Sequence, residues 1–111
     1  MRIVKYVINE LGLPILFETN IIHSEMISNV VSAGFAVVDY DALTDQFKVK
    51  CYGGSESLRV HSERNDCLVI QNYLNSLLCK SYYTKPLTDS ELNTLLANTR
   101  ISKKWVKDIK F

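Results

Sequence analysis

The sequence predicts an α+β fold, in which an antiparallel sheet of about five short strands carries helices on one face and a helical extension follows at the C-terminus. The β-branched segments are short and tightly connected, which disfavours a parallel sheet because parallel strands need long crossovers. Two other stretches carry helix-capping residues followed by apolar residues at helical spacing. The chain has 111 residues, 47% hydrophobic and 23% charged, which suits one domain. The elements are expected in the order ββαβββα.

The first two strands are predicted over residues 3–8 and 13–18, as a hairpin. The first alternates, so that one face carries a row of apolar side chains: Val4, Tyr6 and Ile8. The connection contains Gly12, which can adopt a positive φ. Pro14 has no backbone N–H to donate, so it should lie at the start of its strand or on a sheet edge.

A helix is predicted next, beginning at Ser24, whose hydroxyl can accept from the free amides of the first turn. Four apolar residues then fall at helical spacing: Met26, Ile27, Val30 and Val31. Gly34 is expected to end this helix in a left-handed conformation. A strand over residues 35–40 and a loop over 41–46 should follow.

The pair Gly53-Gly54 predicts a two-residue hairpin between strands over 47–52 and 55–60, because glycine fits both positive-φ positions of such a turn. This register places Val49 opposite Leu58 and Phe47 opposite Val60 on one apolar face. A longer glycine loop with less pairing is the alternative. An anion held by Gly53, Gly54 and Ser55 is disfavoured, because these residues precede a strand and lack the P-loop lysine.

The strongest helix begins at Asn65 or Asp66 and has an apolar stripe: Ile70, Tyr73, Leu74, Leu77 and Leu78. Thr88 and Glu91 form a capping box that starts another helix, which runs to about residue 98. Beyond it, three apolar residues recur every four positions: Ile101, Trp105 and Ile109. We therefore divide the chain into an α+β core over 1–80, a linker over 81–87 and a helical extension over 88–111.

Charge and cysteine content indicate little about partners. Thirteen basic residues against twelve acidic ones give no overall electrostatic attraction to nucleic acid or to a membrane surface. The three cysteines cannot all pair within one chain and are expected to be reduced. No signal peptide and no membrane-spanning stretch is recognised, so no membrane contact and a cytoplasmic location are expected.

Five segments carry a resemblance to a known group: Pro14-Ile15-Leu16-Phe17, then His23, then Val31-Ser32-Ala33-Gly34-Phe35, then Cys51-Tyr52-Gly53-Gly54-Ser55-Glu56-Ser57-Leu58, and Ser62-Glu63-Arg64-Asn65-Asp66. In this order they resemble small uncharacterised bacterial and phage-encoded proteins with the pattern PIIF, H, VSAGF, YGES.SL and SRPED. The resemblance covers about residues 1–78. The chain departs from the pattern in its extra glycine at position 53 or 54 and in lacking the proline of the last motif. The resemblance implies a domain type and a mobile-element origin, and no reaction.

Four residues are of the types that bind zinc: His23, Cys51, His61 and Cys67. No CxxC or HxxxH pair is present, so no metal or other cofactor is predicted, and both cysteines are interpreted as small buried hydrophobic residues. A thiol enzyme is another alternative, with His61 as the base beside Cys51 or Cys67 and an acidic residue to orient it, Glu56 or Glu63. An enzyme is not favoured, since few polar residues converge.

Residues 99–111 are the one segment where charge is segregated. They hold five basic residues against one acidic residue, a net of +4, which leaves −3 on the rest of the chain. Nucleic acid or a partner would be contacted by basic and aromatic residues here: Arg100, Lys103, Lys104, Trp105 and Lys107. The competing interpretation is an amphipathic helix with a buried apolar stripe and solvated lysines.

The leading hypothesis is a non-enzymatic accessory or interaction domain that acts through protein–protein contacts, with a second copy of the chain as one candidate partner. Exposed strands at the edges of the sheet would accept a partner's strand. Nucleic-acid binding through the C-terminal tail is the second hypothesis, and a thiol or metal enzyme is the third.

Overall fold

The computed structural model describes residues 2–19, 29–55, 58–78, 80–84 and 88–99. Within these ranges it confirms the α+β class, with an antiparallel four-stranded sheet, a small two-stranded antiparallel ribbon and short helices.

The four-stranded sheet has the order β2-β1-β3-β4, and every neighbouring pair is antiparallel. Its strands are β1 (Arg2–Asn9), β2 (Pro14–Phe17), β3 (Val30–Asp41) and β4 (Gln46–Tyr52). β3 is the longest, and β4 pairs only with its second half, from Phe35 to Asp41.

The remaining elements follow β4 along the chain. The ribbon consists of β5 (Gly54–Ser55) and β6 (Val60–His61), and the helices are α1 (Asp66–Asn75), α2 (Ser81–Thr84) and α3 (Asp89–Thr99).

The predicted β1–β2 hairpin is confirmed. Gly12 has a φ of 77° in the connecting turn, and the Asn9 side-chain oxygen accepts from the backbone N–H groups of Leu11 and Leu13, at 2.9 and 3.0 Å. Pro14 is the first residue of an edge strand, where its missing donor costs no ladder hydrogen bond.

The prediction of a helix that ends at Gly34 is wrong over the residues from 30 onward, which form a strand. Residues 24–28 lie outside the described ranges, but Val30 and Val31 already belong to β3 and Gly34 lies within that strand. A Cβ on Gly34 would come within 2.5 Å of the Tyr52 carbonyl oxygen. The glycine therefore permits a close approach of two backbones rather than a helix end.

The predicted Gly53-Gly54 hairpin is also wrong. β4 pairs with β3, Gly53 bends the chain at a φ of 73°, and Gly54 pairs with His61 in the ribbon. The apolar residues predicted to share one face lie on opposite faces of the sheet: Phe47 and Val49 on one, Leu58 and Val60 on the other. Local turn chemistry was outweighed by the seven-residue ladder between β3 and β4.

The main core lies between one face of the sheet and α1, and it comprises Val4, Tyr6, Ile8, Ala36, Val38, Phe47, Val49, Ile70 and Leu74. The opposite face carries a smaller cluster of Val7, Phe17 and Ala33, on which Leu58 and Val60 pack.

The predicted α1 helix is confirmed, but its buried stripe differs from the predicted one. The buried residues are Asp66, Ile70 and Leu74, at a spacing of four, whereas Tyr73 and Leu78 are exposed. Asn65 occupies the N-cap position without a side-chain capping bond. The carboxylate of Asp66 is thus buried in the core, although the predicted stripe consisted of apolar residues only.

Part of the predicted linker is helical, because residues 81–84 form α2 and Tyr83 packs edge-on against Phe47, with 6.3 Å between ring centroids. The predicted capping box is confirmed: the Glu91 N–H donates to the Thr88 hydroxyl at 3.2 Å, and that hydroxyl donates to the Glu91 carboxylate at 3.0 Å. The helix extends to Thr99, close to the predicted end.

Candidate functional site

An open cleft of about 610 Å³ lies beside the β5–β6 ribbon and is lined by Gly53, Gly54, Ser55, Arg59 and His61. We call it the Arg59 cleft. Its volume falls within the range of about 300–1,000 Å³ that small-molecule and side-chain pockets usually have. Among the described lining residues, Arg59 and His61 carry basic side chains, and both are exposed.

The small residues Gly53 and Gly54 give the cleft its shape. A Cβ on Gly54 would lie 2.8 Å from the His61 ring nitrogen Nδ1 and 2.7 Å from the Val60 carbonyl oxygen, so the imidazole packs directly on the Gly54 backbone. Gly53 has a positive φ, and a Cβ there would come within 3.3 Å of the Phe35 ring. Larger side chains at these positions would displace His61 or fill the cleft.

Arg59 has a left-handed backbone, with a φ of 57°. Asn29 and Asp45 also have positive φ, but asparagine and aspartate tolerate this region far better than arginine does. The flanking residues Leu58 and Val60 pack on the second face of the sheet, and the Leu58 N–H donates to the Ser55 hydroxyl at 3.2 Å. The two anchored neighbours hold Arg59 outward at the edge of the cleft.

Neither basic side chain of the cleft has an acidic partner among the described residues. An ion pair elsewhere in the fold joins Lys80 to Asp45 at 3.3 Å, and Asp45 also accepts from the Tyr40 hydroxyl. That group fixes the chain after α1 to the turn between β3 and β4, which lies at the opposite end of the sheet. The two basic side chains of the cleft thus lack an acidic partner within the described part of the chain.

Three exposed apolar side chains lie at the end of the sheet where β3 begins. Leu11 and Leu13 flank the β1–β2 turn and are 82% and 56% exposed, and Val31 is 52% exposed at an irregularity where β3 pairs with the end of β1. The Arg59 cleft follows β4 and lies beside the middle of β3, because Tyr52 pairs with Phe35 and Gly53 approaches the Phe35 ring. We call Leu11, Leu13 and Val31 the apolar rim.

A polar cluster in the interior has a different character. Asp66 is 4% exposed and accepts from the Tyr6 hydroxyl at 2.6 Å, the Ser32 hydroxyl at 3.0 Å and the Glu63 N–H at 2.8 Å. Burial, together with the hydrogen bond to Asp66, raises the pKa of Tyr6 well above its ordinary value. The cluster joins β1, β3 and the start of α1, and it is sealed from solvent, so its role is structural.

Cys51 and Cys67 lie beside this cluster rather than in the cleft, and Cys79 lies outside the described residues. Burial raises the pKa of the Cys51 thiol to about 12, which keeps it protonated at neutral pH and unsuited to nucleophilic attack. Cys67 is partly buried against the core, and its thiol donates weakly to the Arg64 carbonyl oxygen at 3.8 Å. His61 lines the cleft instead of facing a thiol. Among the described residues, no three His, Cys, Asp or Glu side chains form a group that could hold a metal ion.

At β4, side chains of α1 occupy part of the sheet edge that was expected to accept a partner's strand. The Phe47 N–H donates to the Asn75 side-chain oxygen at 2.7 Å, and the Val49 N–H donates to the Gln71 side-chain oxygen at 3.1 Å. Two donors that would attract a partner's strand are thus occupied by α1. Such capping protects an edge from unwanted pairing.

The predicted tail contacts lie outside the described residues: Arg100, Lys103, Lys104, Trp105 and Lys107. The same holds for His23 and Glu56. Sequence reasoning missed Arg59 and His61 as a pair, because they are brought to Gly53 and Gly54 by the ribbon and not by a motif.

No helix within the described ranges is long and apolar enough to cross a membrane. Comparison of the chain with protein-family models, curated proteins and solved structures found no match.

Proposed function

We propose that this protein is a non-enzymatic interaction module that binds a protein partner at the end of the sheet where β3 begins. One observation carries the proposal: three exposed apolar side chains lie where β3 begins, and an open cleft lies beside Phe35 of the same strand, with two basic side chains that have no acidic partner among the described residues. Protein interfaces typically combine apolar contact residues with arginine, and arginine is enriched among the residues that contribute most to binding.

The chemistry of the interior supports a binding role over a catalytic one. The Tyr6–Asp66–Ser32 cluster is buried and its hydrogen bonds are made within the fold. The Cys51 thiol has a raised pKa, whereas an activated thiol needs a lowered one.

The partner in this proposal is another protein, and a second copy of the chain is one candidate. We also propose a cytoplasmic location and a relationship to the small bacterial and phage-encoded proteins whose motifs the chain resembles. Two of those motif segments meet beside Gly34 of β3, where the Ser62 N–H donates to the Gly53 carbonyl oxygen at 2.9 Å.

The proposal is tested by placing a photo-crosslinking amino acid at Leu13 in the full-length protein, expressed in its own host. The matched control position is Leu43, which is 97% exposed in the turn at the opposite end of the sheet. We expect a discrete crosslinked protein from position 13 and none from position 43. Absence of a crosslink at position 13, or equal crosslinking at both positions, would refute the proposed surface.

A further inference from the structure

Phe35 and Tyr52 form an aromatic pair on the face of the sheet opposite α1. They pair across β3 and β4, and their rings are stacked, with 5.3 Å between the centroids and 14° between the planes. The Lys5 ammonium lies over the Phe35 ring, 5.9 Å from its centroid, and reaches it from β1 on the other side of β3. Both rings are half-buried, so part of the surface of this pair is accessible to solvent.

Two exposed lysines continue the same face along β4. Phe47 and Val49 of this strand lie in the main core. Because successive strand residues point to opposite faces, Lys48, Lys50 and Tyr52 share the face that carries the aromatic pair. Both lysines are exposed, and residues two apart in a strand are spaced by roughly 7 Å. A row of cations therefore leads along β4 to the stacked rings.

The acidic residues of this face lie away from the rings. Among the described strand residues, Asp39 and Asp41 are the acidic ones on this face, and they pair with Lys48 and Gln46 near the β3–β4 turn. Lys50 lies two residues nearer the rings and pairs with an apolar residue of β3. The residues around the rings form a basic-aromatic patch, which comprises Lys5, Phe35, Lys50 and Tyr52.

The Arg59 cleft adjoins the basic-aromatic patch through Gly53. This glycine directly follows Tyr52 and lines the cleft, and a Cβ on it would come within 3.3 Å of the Phe35 ring. The cleft contributes two further exposed basic side chains, Arg59 and His61. The patch and the cleft therefore form one continuous surface in which cations surround stacked aromatic rings.

This combination indicates a ligand that carries both phosphates and bases. Proteins that bind single-stranded nucleic acid combine a basic groove, which follows the phosphate backbone, with aromatic side chains on which bases stack. An acidic peptide would engage the cations but has no bases to place on the rings. A duplex would also engage the cations, but its bases are already stacked within the helix. The unpaired bases of a single strand suit both parts of the surface.

We propose that the basic-aromatic patch and the Arg59 cleft together bind single-stranded nucleic acid. A base stacks against the accessible part of the Phe35–Tyr52 pair, and phosphates pair with Lys5, Lys50 and Arg59. The site lies on the sheet and not in the C-terminal tail, for which the sequence predicts nucleic-acid contacts. The inference goes beyond the proposed function, because it adds a second ligand at a different surface from the apolar rim.

The test is a fluorescence-anisotropy titration of a labelled oligothymidylate of about ten nucleotides with the full-length protein, at a series of salt concentrations. We expect saturable binding whose log Kd rises linearly with log salt concentration. Arg59→Gln and Lys50→Gln should each lower that slope by about 0.7, the contribution of one phosphate contact on a single strand. Arg64→Gln is the matched control and should leave the slope unchanged, since Arg64 is exposed just before α1 and outside the cleft.

An aromatic variant tests the stacking separately. Tyr52→Leu should weaken binding by about tenfold, the effect of losing one base–aromatic stack. The matched control is Tyr73→Leu, because Tyr73 is 38% exposed on α1, which packs on the other face of the sheet. This control should change the affinity by less than about twofold. Urea denaturation checks that each variant folds, and if Tyr52→Leu does not, the variants of the exposed residues Arg59 and Lys50 decide the question.

Absence of saturable binding would overturn the proposal. So would an affinity and a salt slope that Arg59→Gln, Lys50→Gln and Tyr52→Leu all leave unchanged, because the oligonucleotide would then bind elsewhere, such as on the C-terminal tail. Displacement of the oligonucleotide by polyglutamate at equal concentration of charge would indicate a carboxylate ligand and would also overturn it. A crosslink from position 13 without oligonucleotide binding would refute this inference alone, whereas oligonucleotide binding without a crosslink would refute the proposed function alone.

Discussion

Removal of the buried carboxylate by Asp66→Ala should be the most destabilising single change among the polar residues of the core. Asp66 accepts three hydrogen bonds, from Tyr6, Ser32 and the Glu63 backbone, and it is 4% exposed. Hydrogen bonds to a charged group contribute roughly 1.5–3 kcal/mol each, and the relief of an unfavourable carboxylate burial offsets part of their sum. We therefore expect a loss of about 3–5 kcal/mol in the free energy of unfolding.

This loss would be a large fraction of the total stability, because domains of this size unfold with about 5–15 kcal/mol. The assay is urea denaturation followed by circular dichroism, with the free energy of unfolding extrapolated to water. Asp66→Asn retains one acceptor oxygen, and its amide N–H can donate to the Ser32 hydroxyl oxygen. The loss in the free energy of unfolding should therefore be about half that of Asp66→Ala.

A matched control removes a hydroxyl that bonds a surface carboxylate. Tyr40→Phe deletes the bond to Asp45, which is exposed, and should cost far less than Asp66→Ala. Tyr6→Phe should cost about 1.5–3 kcal/mol, because the lost bond is buried and charge-assisted. If Asp66→Ala cost less than about 1 kcal/mol, or no more than Tyr40→Phe, then the structural role assigned to the buried cluster would be wrong.

Four further predictions concern single positions. Arg59→Gly should leave stability unchanged or raise it by up to about 1 kcal/mol in urea denaturation, because relief of the left-handed strain exceeds the added backbone entropy; a clear loss would contradict the strain. Gly34→Ala should lower the melting temperature, since its Cβ would lie 2.5 Å from a β4 carbonyl oxygen, and an unchanged melting temperature would argue against this approach. The hydrogen bond from Tyr40 lowers the pKa of Asp45 below its ordinary value of 3.8. The stabilisation from the charged Asp45 carboxylate is therefore present above that pH and is lost as the pH falls through the folded-state pKa. Asp45→Asn should weaken the dependence of stability on pH below about pH 4, and identical pH profiles of the two proteins would refute the lowered pKa. Burial raises the pKa of Cys51 to about 12, so its alkylation by iodoacetamide at pH 8, followed by mass spectrometry of the Cys51 peptide, should be far slower in the folded protein than in urea, and equal rates would contradict the burial.

Elements with strong local signals were predicted well. The β1–β2 hairpin depends on Gly12 and Pro14, and the start of α3 depends on the Thr88–Glu91 capping box. In each case the residues that determine the structure lie within a few positions of one another, so no distant contact is needed. The position of α1 is predictable for the same reason, but the residues that it buries are not.

Elements that depend on distant residues were predicted poorly. Gly34 was interpreted as a helix end, but its effect becomes visible only where the Tyr52 backbone passes over it. The pair Gly53-Gly54 has the turn chemistry of a hairpin, yet β4 gains a seven-residue ladder by pairing with β3. Asp66 could not be recognised as a core residue, because its partners Tyr6 and Ser32 lie 60 and 34 positions away.

The candidate site shows the same division. The sequence contains Arg59 and His61 without any motif to connect them, and the hairpin interpretation places Arg59 in an ordinary strand and His61 just after it. The ribbon brings both to Gly53 and Gly54 and leaves a cleft between them. The glycines are a sequence signal for this site, although their local pattern favours a hairpin turn over an anion site.

The sequence by itself determined the α+β class, the first hairpin, the positions of α1 and α3 and the near-neutral charge, because hydrophobic periodicity, capping and turn residues act over short distances. Only the tertiary structure decided the partner of β4, the burial of Asp66 and the assembly of the Arg59 cleft. The physical reason is that strand pairing, close backbone approach and buried hydrogen bonds depend on residues far apart in sequence, whose meeting is selected by the packing of the whole core.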